Sequence, residues 1–253
     1  MPEKVFQMSS FRMMLPALLV ATCLSSSGAL AAPLNQSVTS DDLSYAELPE
    51  GGAISSMSGD VQIQTSNGPL SIRGVSGDIK ISKNEGPTSL TTVSGDVQIG
   101  QGLGAVQIKT VSGDISVAQA AGGAALMTVS GDAHLGGAAG DVTVKSTSGD
   151  QDVTLVSTGN ARKILLETVS GDVTLHLPHD FGGTFDIEFR QSRQQSTVPL
   201  EQSLGLTVQV GPWERKGLSM DETRKITATG TVGNGQDHVT IRGISSKMRI
   251  LQD

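Results

Sequence analysis

From Ser58 to Leu177 the chain alternates between apolar and polar residues in short runs, as in Val61-Gln62-Ile63, Ile79-Lys80-Ile81 and Val97-Gln98-Ile99. A period of two places successive side chains on opposite faces of a strand, so each run predicts a strand with one buried face. Two kinds of turn separate the runs. One is the triplet Ser-Gly-Asp; the other is a glycine site, Asn67-Gly68-Pro69, Glu85-Gly86-Pro87, and Gly102 with Gly104. The triplets begin at Ser58, Ser76, Ser94, Ser112, Ser130, Ser148 and Ser170, so the step is 18 residues five times and then 22. Each unit reads strand, turn, strand, turn, and a fixed short period means one unit stacked on itself.

The side-chain columns hold from copy to copy. Val61, Ile79, Val97, Ile115 and Ala133 form one inward column; Ile63, Ile81, Ile99, Val117 and Leu135 form the next. The return strand supplies Ile72, Leu90, Ile108, Leu126 and Val144. A valine precedes most triplets (Val75, Val93, Val111, Val129, Val169), with Thr or Ser one residue earlier. Such columns arise when each coil lies on the one before at the strand spacing of ~4.8 Å. The fold class expected is all-β: a single parallel β-solenoid with about 18 residues per coil, two strands per coil and atypical terminal caps. Right-handed winding is the default for parallel crossovers, and solenoids of both hands exist, so handedness stays open. A stack of antiparallel hairpins is the second architecture. The organisation expected is a signal peptide at 1–31, an N-terminal segment and cap at 32–57, regular repeats at 58–177, and an irregular β continuation at 178–253. The four extra residues before Ser170 predict a surface bulge near residues 157–163.

The triplet columns carry the only repeated chemistry. Gly59, Gly77, Gly95, Gly113, Gly131, Gly149 and Gly171 are expected to supply turn geometry that other residues resist. Asp60, Asp78, Asp96, Asp114, Asp132, Asp150 and Asp172 would lie in one file. Unit charges ~4.8 Å apart repel by about 1 kcal/mol even in water, so each coil must offset the repulsion. The favoured reading is turn chemistry, with Asp or Ser side chains bonding nearby amides at ~1.5–3 kcal/mol per charged bond. The alternative is a calcium ladder between successive carboxylates. Calcium repeats are built on a nine-residue unit, and 18 is two nines. Here, however, an aliphatic residue follows each Asp, the second turn has no matching acid, and calcium wants six or more oxygens. The aspartates therefore stand as weak metal candidates, and no cofactor is expected.

The N-terminal segment reads as a leader. Lys4 and Arg12 precede an apolar stretch from Met13 to Leu24, and Ala29-Leu30-Ala31 has the A-x-A form of a cleavage site after Ala31. Either Met8 or Met13 could serve as the start. The single cysteine, Cys23, lies inside this leader, where Thr22 fits poorly before a lipidated cysteine. Export to the periplasm or cell surface is expected, without disulfides. Without residues 1–31, 16 basic residues face 24 acidic ones, a net charge of −8, which repels phosphate backbones and argues against nucleic acid. No later run comes near the ~20 apolar residues of a membrane span.

Beyond Pro178 the rhythm breaks. Phe181, Phe185, Phe189 and Trp213 appear, whereas no aromatic residue other than His lies between Leu48 and Asp180. These aromatics are read as a thicker core or cap before a ligand platform. A degraded copy then returns: Ile244-Ser245-Ser246-Lys247-Met248-Arg249-Ile250 aligns with Val-Ser-Gly-Asp-Ile-x-Ile, with Ser246 for glycine and Lys247 for aspartate. Together, the leader, the serial Thr-Val-Ser-Gly-Asp-Val-x-Ile copies and Gly233-Asn234-Gly235 before Val239-Thr240-Ile241 resemble the bacterial β-strand-repeat family labelled as adhesins. The resemblance covers roughly residues 45–253. It implies an exported β-solenoid domain of unknown function at the envelope, and no catalytic residues.

Three function classes follow. An enzyme is the least supported, because carbohydrate-active β-helices place carboxylates in a groove walled by long loops. His176, His179 and Asp180 could be imagined as metal ligands, but they sit around Pro178 and read as junction residues. The favoured function is a non-catalytic envelope solenoid with an adhesive or scaffolding surface, its partner an envelope protein or glycan. A purely structural spacer is the alternative; the oligomeric state is open.

Overall fold

The protein is described from a computed structural model covering residues 19–20, 32–156, 161–193, 200–215, 222–244 and 246–252. Cys23 and Ala31 of the expected leader, and Ser157–Asn160 of the expected bulge, lie outside the described residues. Every regular element among the described residues is a strand, and the strands form two sheets of eleven and twelve. In the regular block, strands that follow a Ser-Gly-Asp turn belong to the first sheet and strands that precede one belong to the second. This is the parallel β-solenoid, with two strands per coil, and the hairpin stack is excluded for the regular block.

Register follows the 18-residue step. Val61, Ile79, Val97, Ile115 and Ala133 are successive parallel partners. On the second sheet Leu70, Thr88, Val106, Ala124, Val142 and Ile164 succeed one another likewise. The two inward faces meet in one continuous aliphatic core. The first column has one polar member: Gln151 follows Ala133 there and is buried. Its amide donates to Glu167 O at 2.7 Å and Ser146 Oγ at 3.2 Å, which meets much of its desolvation cost.

Four details refine or correct the expectation. The first regular rung precedes Ser58: Leu34–Val38 and Leu43–Leu48 pair in register with the next coil, and Ser40-Asp41-Asp42 occupies the triplet position. Asp41 replaces the glycine, so a repeat defined by Ser-Gly-Asp starts one coil late. Second, the valines before the triplets lie outside the core, each about half exposed. Their neighbours Thr92, Thr110 and Thr128 point inward, and a period of two turns the valines out. Third, Lys163 belongs to a strand, Lys163–Ser170, and not to the bulge.

Fourth, the degraded copy is not the outermost coil. Asp237–Ile244 pairs with Lys163–Ser170, and Met248–Gln252 with Val173–Leu177, all in parallel. Gly183–Ser192 and Leu200–Gln202, earlier in the chain, stack on the far side of that copy. The chain thus skips a rung after Leu177, lays down the next one, turns through an antiparallel hairpin of Thr207–Arg215 and Glu222–Val232, and returns to fill the gap. The terminal cap is the skipped-ahead rung and its hairpin. Phe181, Phe185 and Phe189 are buried there, with the first two rings 5.8 Å apart, so the phenylalanines fill the end of the core.

Candidate functional site

The Ser-Gly-Asp corner is the most regular chemical feature. The seven triplet glycines have φ between +117° and +139°, a region that side chains disfavour. Space imposes the same choice. A Cβ on Gly113 would lie 2.2 Å from Gly95 O, and one on Gly149 would lie 2.1 Å from Gly131 O. Each turn therefore rests directly on the turn below. The second corner does the same with Gly68, Gly86 and Gly104: a Cβ on Gly86 would meet Gly68 backbone at 2.4 Å.

This contact aligns the aspartates and also supplies what offsets their repulsion. Asp42 Oδ1 accepts the amide of Asp60 at 2.9 Å, Asp60 Oδ1 that of Asp78 at 2.9 Å, and Asp96 Oδ1 that of Asp114 at 2.8 Å. The file continues through Asp132, Asp150 and Asp172 to the amide of Lys247 at 3.1 Å. The turn reading expected bonds to nearby amides; the amides are near in space but one coil away, 18 residues or more along the chain. A charged acceptor on each amide is worth ~1.5–3 kcal/mol, more than the like-charge repulsion between exposed neighbours. Lys247 receives the last bond and has no side-chain oxygen to pass the ladder on. Among the described residues, no group of three or more His, Cys, Asp or Glu side chains is arranged to hold a metal ion. His176 and His179 are not brought together as ligands: His176 Nε2 lies 3.7 Å from Asp152 Oδ1, and His179 O accepts from Gln252 Nε2.

Two surface grooves border the second sheet. One, of about 730 Å³, runs over the N-terminal coils between Pro33, Pro69 and Pro87 and a floor of Ala53, Ser71 and Ser89. The other, of about 460 Å³, lies near the cap. Its walls carry Lys145, Glu167, Glu188, Arg190 and Arg242, and Val169 and Ile244 also line it. Lys145 Nζ meets Glu167 Oε2 at 2.7 Å, so the charges there are partly paired.

A further constellation went unread in the sequence. Arg162 is 4% exposed and fully engaged: Nε and Nη2 reach Asp237 Oδ2 at 3.0 and 2.7 Å, and Nη1 reaches Ala138 O and Val156 O. The Arg162 amide also donates to Asp237 Oδ1 at 2.8 Å. The partners lie 75 residues apart, so no local pattern marks the pair. Its chemistry is that of a staple between the insertion and the returning rung, because an ion pair whose hydrogen bonds are satisfied can stay buried. Among the described residues, Trp213 is the Phe, Tyr or Trp side chain outside the core. It sits on Thr207–Arg215, whose side chains are largely exposed, and Arg224 stacks 4.5 Å from its ring centroid.

Residues 100–203 match the family model described as Toastrack DUF4097, a domain of unknown function. No curated protein and no solved structure matches the chain. With the coil geometry, the match identifies a repeat β-solenoid domain of unknown function, the coarser half of the resemblance read from the sequence. The adhesin label is not part of it.

Proposed function

We propose that the protein is a non-catalytic scaffold of the cell envelope, an exported rigid stack whose outer faces serve as an adhesive or docking surface for an envelope protein or glycan. One observation carries this reading: the aspartate file, the feature of the sequence that most resembles a reactive site, is spent on cross-coil amide bonds that hold the coils in register. Each coil bonds its neighbours through two sheets and a corner ladder, which makes a stiff element. The grooves lie on its outer faces, one lined largely by Ser, Ala and Pro, the other by partly paired charges with Val169 and Ile244.

Cell fractionation with surface protease tests the location. The reading expects the chain in the periplasmic or surface fraction; recovery in the cytosol removes it. An envelope pull-down and a glycan array then separate a docking surface from a spacer, which would be silent in both. Calcium binding is kept as the second reading because the second oxygens of the aspartates stand in file along one exposed corner.

A further inference from the structure

Among the described residues, the valines that precede the triplets form an aligned apolar file on the surface. Met57, Val75, Val93, Val111, Val129, Val169 and Ile244 occupy one aligned position on successive rungs, interrupted by Thr147. They are 47–59% exposed. In the same file Thr39 precedes Met57, and Arg190, the register partner of Ile244, ends it. Eight rungs at ~4.8 Å make a stripe roughly 34 Å long. Its exposed apolar area is on the order of 500 Å², the size at which a patch on a lone protein is often functional.

The flanks differ in sign. Two residues before the stripe, on the outer face of the second sheet, stand Arg73, Lys109, Lys145 and Arg242, one on every second rung. Lys145 and Arg242 share Glu167, whereas among the described residues Arg73 and Lys109 have no ion-pair partner. On the turn side, three residues after the stripe, runs the aspartate file.

We infer that this stripe joins two copies of the chain side by side, with their solenoid axes parallel. Periodicity selects the partner. A helix advances 5.4 Å per turn, so against a ~4.8 Å repeat it loses nearly one rung over the stripe. An extended strand laid along the axis repeats a side at ~6.6 Å and fails sooner. A second solenoid meets all rungs at once, and another copy of this chain has the same spacing. Charge then selects the orientation. A two-fold axis parallel to the stack sets the basic flank of each copy opposite the aspartate flank of the other; a perpendicular axis would set acid against acid. An isologous contact of this kind is the commonest form of closed assembly. Two such stripes bury on the order of 1,000 Å² in total, the lower end for a specific interface, so the dimer is concentration-dependent.

The inference goes beyond the scaffold reading and stands without it. With the axis along the stripe, a residue faces its own equivalent. In the full chain carrying Cys23→Ser, a Val111→Cys variant is therefore expected to give a disulfide-linked dimer under mild oxidation. A mixture of Val75→Cys and Val169→Cys chains is expected to give 75–75 and 169–169 links and no 75–169 link. Sedimentation of the unmodified chain should show mass rising toward the dimer with concentration. The double variant Val93→Asp/Val111→Asp, its fold checked by circular dichroism, should stay monomeric at concentrations where the parent is at least half dimer. A monomeric parent up to millimolar concentration, undiminished dimer in the double variant, or 75–169 links would each overturn the arrangement.

Discussion

The regular coils and the C-terminal part share one pair of sheets but are held by different means. In the regular block, position along the chain and position along the stack are the same, and each turn touches the one before it through glycine backbone. In the C-terminal part the order is exchanged, strands run both ways, and phenylalanine joins isoleucine and valine in the core. Repetition makes the first region insensitive to which coil is considered. The second depends on particular pairs, Arg162 with Asp237 above all. A solenoid can thus use identical low-volume units along its length and concentrate individual chemistry where the repetition ends.

The sharpest way to break this contrast is at a triplet glycine. Gly113→Ala adds backbone strain of ~1–3 kcal/mol and an overpacking cost of ~1–3 kcal/mol, and is expected to lower unfolding free energy by about 4 kcal/mol in urea titration. Any equivalent regular glycine should behave alike. Asp237→Ala comes next. It strands a buried guanidinium, with an expected loss of about 3 kcal/mol. Hydrogen exchange should localise that loss to residues 162–177 and 237–252 and leave residues 61–120 protected, unlike Gly113→Ala. Uniform deprotection would show that the two regions melt as one. Asp114→Ala should cost about 1 kcal/mol, the lost charged bond being offset by relief of repulsion. Asp114→Asn, which keeps an acceptor for the Asp132 amide, should recover most of it. Last, melting with calcium and with chelator should give the same midpoint within about 1 °C; a clear rise with calcium would make the aspartate file a cation site as well as a ladder.

The contrast also explains what could be read from the residues. A column such as Ile63, Ile81, Ile99 is a direct image of stacking, because a parallel coil must repeat its inward side chain at each level. The Ser40-Asp41-Asp42 rung was hidden by a substituted glycine, although the 18-residue step points to it. The exposure of Val75 and its equivalents follows from the period of two, because Ile72 and its equivalents face inward three residues earlier. The exchanged order of the C-terminal rungs is not local information. Nothing in Val239-Thr240-Ile241 states that its neighbours are Ile164-Leu165-Leu166 on one side and Phe185-Asp186-Ile187 on the other. The same holds for Arg162 and Asp237, which meet only because that rung returns. At the corner, the Ser-Gly-Asp chemistry was legible as amide bonding, but its partner lay one coil away, beyond what turn propensity describes.

The skipped rung has a bearing on biosynthesis. Residues 183–202 leave the ribosome before the strands of 237–252 that separate them from the finished coils, so the outer level waits for a later stretch of polypeptide before it can dock. A chain interrupted between Phe189 and Asp237 would hold buried-type phenylalanines without the rung that separates them from the finished coils, a ready signal for proteolytic removal. The wedge-like return therefore ties completion of the stack to completion of this stretch of synthesis.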